Sequence, residues 1–131
     1  MNEPGRNYLT TSIGALKDVK RETLHDALAL TGTEISLNQL AAGTSSPFLH
    51  SHKQNEEVYV VLRGRGAFQV DGEEFDIEEG TAIRVDPAGK RSIKAAEDEG
   101  LIYLCIQAGC GTLTQFTRTD GVLHEERPAW R

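Results

Sequence analysis

From residue 33 onward the chain alternates short apolar and polar positions, interrupted at intervals by Gly, Asp and Pro. Thr33-Glu34-Ile35-Ser36-Leu37-Asn38 has the period of two that sends successive side chains to opposite faces of a strand, and Ala42-Gly43 ends it. Residues 48–52 form a second short run. Glu57-Val58-Tyr59-Val60-Val61-Leu62 is the segment richest in β-formers, and Gly64-Arg65-Gly66 reads as the turn of a hairpin whose second arm is Ala67-Phe68-Gln69-Val70. Asp71-Gly72, a strong short turn signal, leads into Glu74-Phe75-Asp76-Ile77. Residues 81–85, 91–95, 101–107 and 113–116 supply the remaining candidates.

About nine short strands with turn signals roughly every 8–12 residues, and no convincing helix between them, predict an all-β antiparallel sandwich or barrel and argue against a parallel α/β sheet. Residues 1–32 carry ambiguous apolar pairs and are expected to form an N-terminal covering arm. Residues 33–118 would be the barrel and 119–131 a polar tail. Residues 58–62 and 101–106 are apolar on both faces, so one face needs cover from the arm or from a second subunit, which favours a homodimer.

The length of 131 residues supports one domain with a real core. Lys and Arg number 14 against 20 Asp and Glu, a formal charge of −6 with no basic stripe, so nucleic acid and anionic membrane are poor partners and a small molecule or metal is favoured. No apolar run nears the roughly 18 residues of a membrane span, and the first residues lack a leader pattern, so a cytoplasmic protein is expected. Cys105 and Cys110 lie too close together to staple a domain and read as free thiols. No G-x-S-x-G elbow, P-loop or C-x-x-C is present.

The candidate chemistry starts at two of the four histidines. His50 and His52 are separated by one residue, so on a strand they share a face with Cα atoms about 6.6 Å apart, and both imidazoles can reach one metal. Glu56-Glu57 begins the next strand, close enough for a carboxylate to close the site. Two imidazoles and a carboxylate with open coordination positions suit non-haem Fe(II) and tolerate Mn, Ni, Co or Zn.

Residues 43–64, GTSSPFLHSHKQNEEVYVVLRG, resemble the first motif of the cupin superfamily: Gly, a short spacer, H-x-H, three or four residues, Glu, six residues, Gly. The match selects Glu57 over Glu56. It implies a small antiparallel jelly-roll barrel with His50, His52 and Glu57 as metal ligands. The second cupin motif is similar to residues 80–92 but lacks its ligand His. Counting from the Pro-x-Gly places Ser92 at that position, and counting from Gly80 places Arg91 there; alternation favours the second count, since Arg91, Ile93 and Ala95 form the more apolar face. With Ser92 inward, a three-ligand divalent metal site would hold a small oxygen-bearing molecule, with the ion as Lewis acid or O₂ activator if the protein is an enzyme. With Arg91 inward, a buried ion pair with Glu57 would compete with the ion, and the alternative is a metal-free, non-catalytic module for a small anion. Tyr59 and Gln107 are further candidates for contact with the substrate, although packing is the favoured reading of both.

Overall fold

The computed structural model describes residues 3–130, and among them nine strands are joined by turns, loops and a single 3-10 turn, Leu16–Asp18. In chain order the strands are β1 Glu3–Pro4, β2 Leu9–Thr10, β3 Arg21–Thr23, β4 Thr33–Leu40, β5 Asn55–Val70, β6 Glu73–Glu78, β7 Ala82–Val85, β8 Arg91–Ala95 and β9 Leu101–Gly109. Every pairing between them is antiparallel. The all-β barrel anticipated from strand spacing is what forms. Among the described residues no helix is long and apolar enough to cross a membrane.

One strand organises the barrel. The first half of β5 lies between β9 and β7, and its second half lies between β6 and β8. The hairpin expected at Gly64-Arg65-Gly66 is therefore not there, because the chain runs straight through these residues and passes from one sheet to the other. The glycines serve close approach instead. A Cβ on Gly64 would lie 1.9 Å from the Gly100 carbonyl oxygen, at a φ of 92° that L side chains resist, and one on Gly66 would lie 2.0 Å from the Lys94 carbonyl oxygen. The true turn is Asp71-Gly72, with φ of 50° and 87°, which pairs Val70 with Glu73 in the tight hairpin the Asp-Gly signal indicated.

The inward faces of β5, β8 and β9 build the main core: Tyr59, Val61, Phe68, Ile93, Ala95, Leu101 and Tyr103, closed by Ile77 and Val85. Each large apolar side chain so buried contributes about 1.5–3 kcal/mol. A second cluster forms on the outer face, where Val19 packs on Leu37 and Ile102 with Ile13, Leu16, Leu62 and Leu104 around them. The N-terminal segment is thus a covering arm over β4 and β9. Its cover is partial, for Ile35, Ile106 and Val58 stand opposite one another on that face and stay half-exposed.

Residues 113–116 do not form the expected strand. β9 already has β4 on one edge and β5 on the other, so the chain beyond Gly109 has no free edge beside it. From Gly111 to Trp130 every residue is exposed, including Leu123 at 99% and Trp130 at 89%.

Candidate metal centre

The predicted strand over residues 48–52 is reduced to a loop tied to β8 by two single bridges, Ser45 with Lys94 and His50 with Arg91. His50 and Arg91 exchange both backbone hydrogen bonds, with Arg91 N–H donating to the His50 carbonyl at 2.9 Å and the reverse bond at 3.1 Å. A pair bonded in this way presents both side chains to the same face. His52 is held one step further on by its N–H, which donates to the Pro87 carbonyl at 2.8 Å. Glu57 and Tyr59, two apart on β5, share the inward face.

The alternative between Arg91 and Ser92 is settled in favour of Arg91. Along β8, Arg91, Ile93 and Ala95 are buried, while Ser92 takes the other face with its hydroxyl 3.5 Å from the Ser46 carbonyl. Arg91 is wholly buried, at 0% exposure. Its NH1 donates to Glu57 Oε1 at 2.8 Å, and its NH2 donates to the Asp86 carbonyl at 2.7 Å and the Pro87 carbonyl at 3.4 Å.

The Glu57 carboxylate is divided between two environments. Oε1 accepts from Arg91 and, at 2.6 Å, from the Tyr59 hydroxyl. Oε2 accepts from the Cys105 thiol at 3.3 Å and lies 3.1 Å from His52 Nε2. That short contact lacks the alignment of a hydrogen bond, which leaves His52 Nε2 buried without a partner. His50 Nε2 is 3.6 Å from Oε1, and the two imidazoles meet edge to face, 5.2 Å between centroids. One donor atom from each of His50, His52 and Glu57 lies within 4.8 Å of the others. The three residues are therefore grouped as a metal centre would need, with Arg91 and His50 against Oε1 and His52 against Oε2.

The protonation states suit that role. Burial, together with the Arg91 charge and His52, pulls the His50 imidazole below its usual value despite the opposing Glu57 carboxylate, so the neutral, ligating form is favoured. Burial alone would raise the Glu57 carboxyl, but the Tyr59 hydroxyl, the Cys105 thiol, His52 and Arg91 together outweigh it and hold the group ionised. Burial first, then the neighbouring carboxylate, pushes the Cys105 thiol up to about 12, so it is a donor to Glu57 and not a thiolate.

The match to the Cupin domain family covers residues 36–107, more than half of the chain and all of the site. The chain belongs to the cupin family. It is 47% identical to a crystallised cupin protein, BF4112 from Bacteroides fragilis, with a TM-score of 0.86 over 92% of this chain and 99% of that one. An uncharacterized protein, MJ1618 of Methanocaldococcus jannaschii, is 33% identical over 65% of this chain and 68% of its own length. A putative sugar phosphate isomerase from Acidithiobacillus ferrooxidans is 29% identical, with a TM-score of 0.60 over 67% of this chain and 57% of that one.

In this cupin the other sequence candidates fall as follows. Tyr59 does two jobs, packing on Phe68 at 4.8 Å and holding Glu57. Gln107 is half-buried in the cavity lining, opposite Glu57 on β9, and accepts from Asn55 Nδ2 at 3.2 Å. Ser92 borders the cavity from the Ser46 side. His25 and His124 are exposed and take no part in the cluster. Ser36 and Asn38 also line the cavity and carry no motif that marks them in the sequence. The alternation separates two faces, and only the arm packing on Leu37 reveals that the apolar one is outside.

Proposed function

We propose that this cupin binds one divalent transition metal through His50 Nε2, His52 Nε2 and Glu57 Oε2, and holds a small oxygen-bearing molecule in the cavity beside it. The observation that carries this reading is His52 Nε2, buried, unpartnered and 3.1 Å from a carboxylate oxygen. A buried polar nitrogen left unpaired costs about 1–3 kcal/mol unless something meets it. Two imidazoles and one carboxylate suit Fe(II), and Mn, Ni, Co and Zn also accept them. A bound ion would supply Lewis-acid polarisation of a ligand oxygen. The chain's own residues prepare the place for it. Arg91 and Tyr59 fix Oε1, the Cys105 thiol steadies Oε2, and the depressed basicity of His50 keeps its ring free to ligate. The likeness to a putative sugar phosphate isomerase supports an oxygen-rich ligand.

The metal-free alternative, an anion held by Arg91, has less support, because NH1 and NH2 are already engaged, the side chain is 1% exposed, and only its buried Nε lacks a partner. Stripped of metal and titrated with Fe(II) under nitrogen, or with Mn(II), Co(II), Ni(II) or Zn(II), the protein is expected to retain one ion per chain after desalting. Retention of only a small fraction of an equivalent with every ion would refute the reading.

We also propose a homodimer. The exposed apolar side chains from Leu113 to Trp130 and the half-exposed row Ile35, Ile106 and Val58 support a second copy as the missing cover. Light scattering behind a sizing column should give a mass near twice 14.4 kDa. Replacing Phe116, Leu123 and Trp130 by Ser should shift it to the single-chain value, and a wild-type monomer at micromolar concentration would contradict the proposal.

A further inference from the structure

The cavity in front of the metal centre has a volume of about 830 Å³, within the range of small-molecule sites. Its charge runs against that of the chain. Lys20, Arg21 and Arg91 line it against Glu34 and Glu57, in a protein with an excess of six acidic groups. Arg91 and Glu57 neutralise each other, and Glu34 Oε1 already accepts from the His25 N–H at 3.1 Å. That leaves Lys20 and Arg21 against the single charge of Glu34, a lining of net positive charge.

Arg21 is the better placed of the two. It sits on the edge strand β3, opposite Asn38 of β4, in the arm that precedes the family match at residues 36–107. NH1 donates to Asn38 Oδ1 at 2.9 Å, and Asn38 Nδ2 donates to Ser36 Oγ at 2.9 Å. Asn38 and Ser36 are 6% and 5% exposed, so a buried polar relay aims the guanidinium. Arg21 is exposed and, like Lys20, has no acidic partner within ion-pair distance among the described residues, whereas Arg91, the other arginine of the cavity lining, is paired with Glu57. Its Nε and NH2 edge is left for a planar or tetrahedral oxyanion, which a guanidinium binds through two parallel bonds. Its charge also reaches the cavity wall, where it opposes the burial that pushes the Tyr103 hydroxyl and Cys105 thiol up to about 12.

We infer that Arg21, oriented by Asn38 and Ser36, is the anion anchor of the cavity, and that the ligand is a small molecule carrying a carboxylate or phosphate. The inference rests on the cavity as the ligand site and does not require the ion. The test accordingly uses His50→Ala protein stripped of metal, titrated calorimetrically at low ionic strength with malonate, with inorganic phosphate and with neutral malonamide. Either anion should bind while malonamide does not. Arg21→Gln in the same background should weaken that binding at least ~10-fold, the loss of one charge-assisted pair. Arg21→Lys should recover part of it, and Lys53→Gln should change nothing. In otherwise wild-type protein Arg21→Gln should leave metal uptake unaltered. Binding of phosphate alone identifies a phosphate ester, and binding of malonate alone identifies a carboxylate. Equal affinity with and without Arg21, or no saturation by either anion, overturns the inference. A wild-type protein that takes up no metal would sink the metal reading and leave this titration intact.

Discussion

Glu57→Ala is expected to be the most damaging single substitution in this protein, lowering the unfolding free energy by about 3–5 kcal/mol, as breaking a buried ion pair does. The carboxylate is 3% exposed and, among the described residues, is the only acid paired with the fully buried Arg91. Its loss also leaves the Tyr59 hydroxyl and the Cys105 thiol without their acceptor. Urea unfolding in EDTA, which removes any contribution from an ion, is the appropriate measurement. Glu57→Leu combined with Arg91→Met should regain most of the lost stability, because replacing both charges by apolar groups avoids the uncompensated one. The double variant should still take up no metal. A loss below about 1 kcal/mol for Glu57→Ala would mean that Arg91 finds another partner, at odds with the hydrogen bonds described above.

His52→Ala is expected to weaken metal binding by more than the ~10–100-fold that loss of an outer-shell partner costs, because it removes a ligand outright. His50→Ala should do the same. Neither imidazole belongs to the main core, with side-chain exposures of 39% for His50 and 27% for His52, so both variants should fold. Competition with a chromophoric chelator measures the affinities. The pH dependence has a defined sign. Protonation blocks ligation, and the folded-state pKa of His50 is depressed below 6.5, so the ligating form persists to pH values under that figure. Metal retention should therefore hold through pH 6.5 and fall only below it. Release centred above pH 6.5, or unchanged affinity in His52→Ala, would contradict the assignment.

The barrel was legible because its signals are local: period-two alternation in β4, the Asp71-Gly72 turn, and β-rich runs at regular spacing. Gly64 and Gly66 misled because a glycine pair marks either a turn or a close backbone crossing, and the Gly100 and Lys94 carbonyls that decide between them lie about 30 residues away in the chain. Residues 113–116 have a strand's composition and no edge to join. At the site, His50, His52 and Glu57 could be named from one contiguous motif. Arg91 and Ser92 could not be separated by counting, since one extra residue before Pro87 shifts the register. The backbone exchange between His50 and Arg91 decides it. Asn38, Ser36 and Arg21 were invisible because strand alternation does not say which face is inside.

On this reading Arg91 and an ion share one carboxylate without excluding each other. The most direct measurement is anomalous diffraction from crystals grown with Mn(II) or Co(II). The account predicts a single peak about 2.0–2.2 Å from His50 Nε2, His52 Nε2 and Glu57 Oε2, with the Arg91 guanidinium still on Oε1. Metal-saturated crystals with no peak there, or a peak reached only after Arg91 has left Glu57, would contradict it.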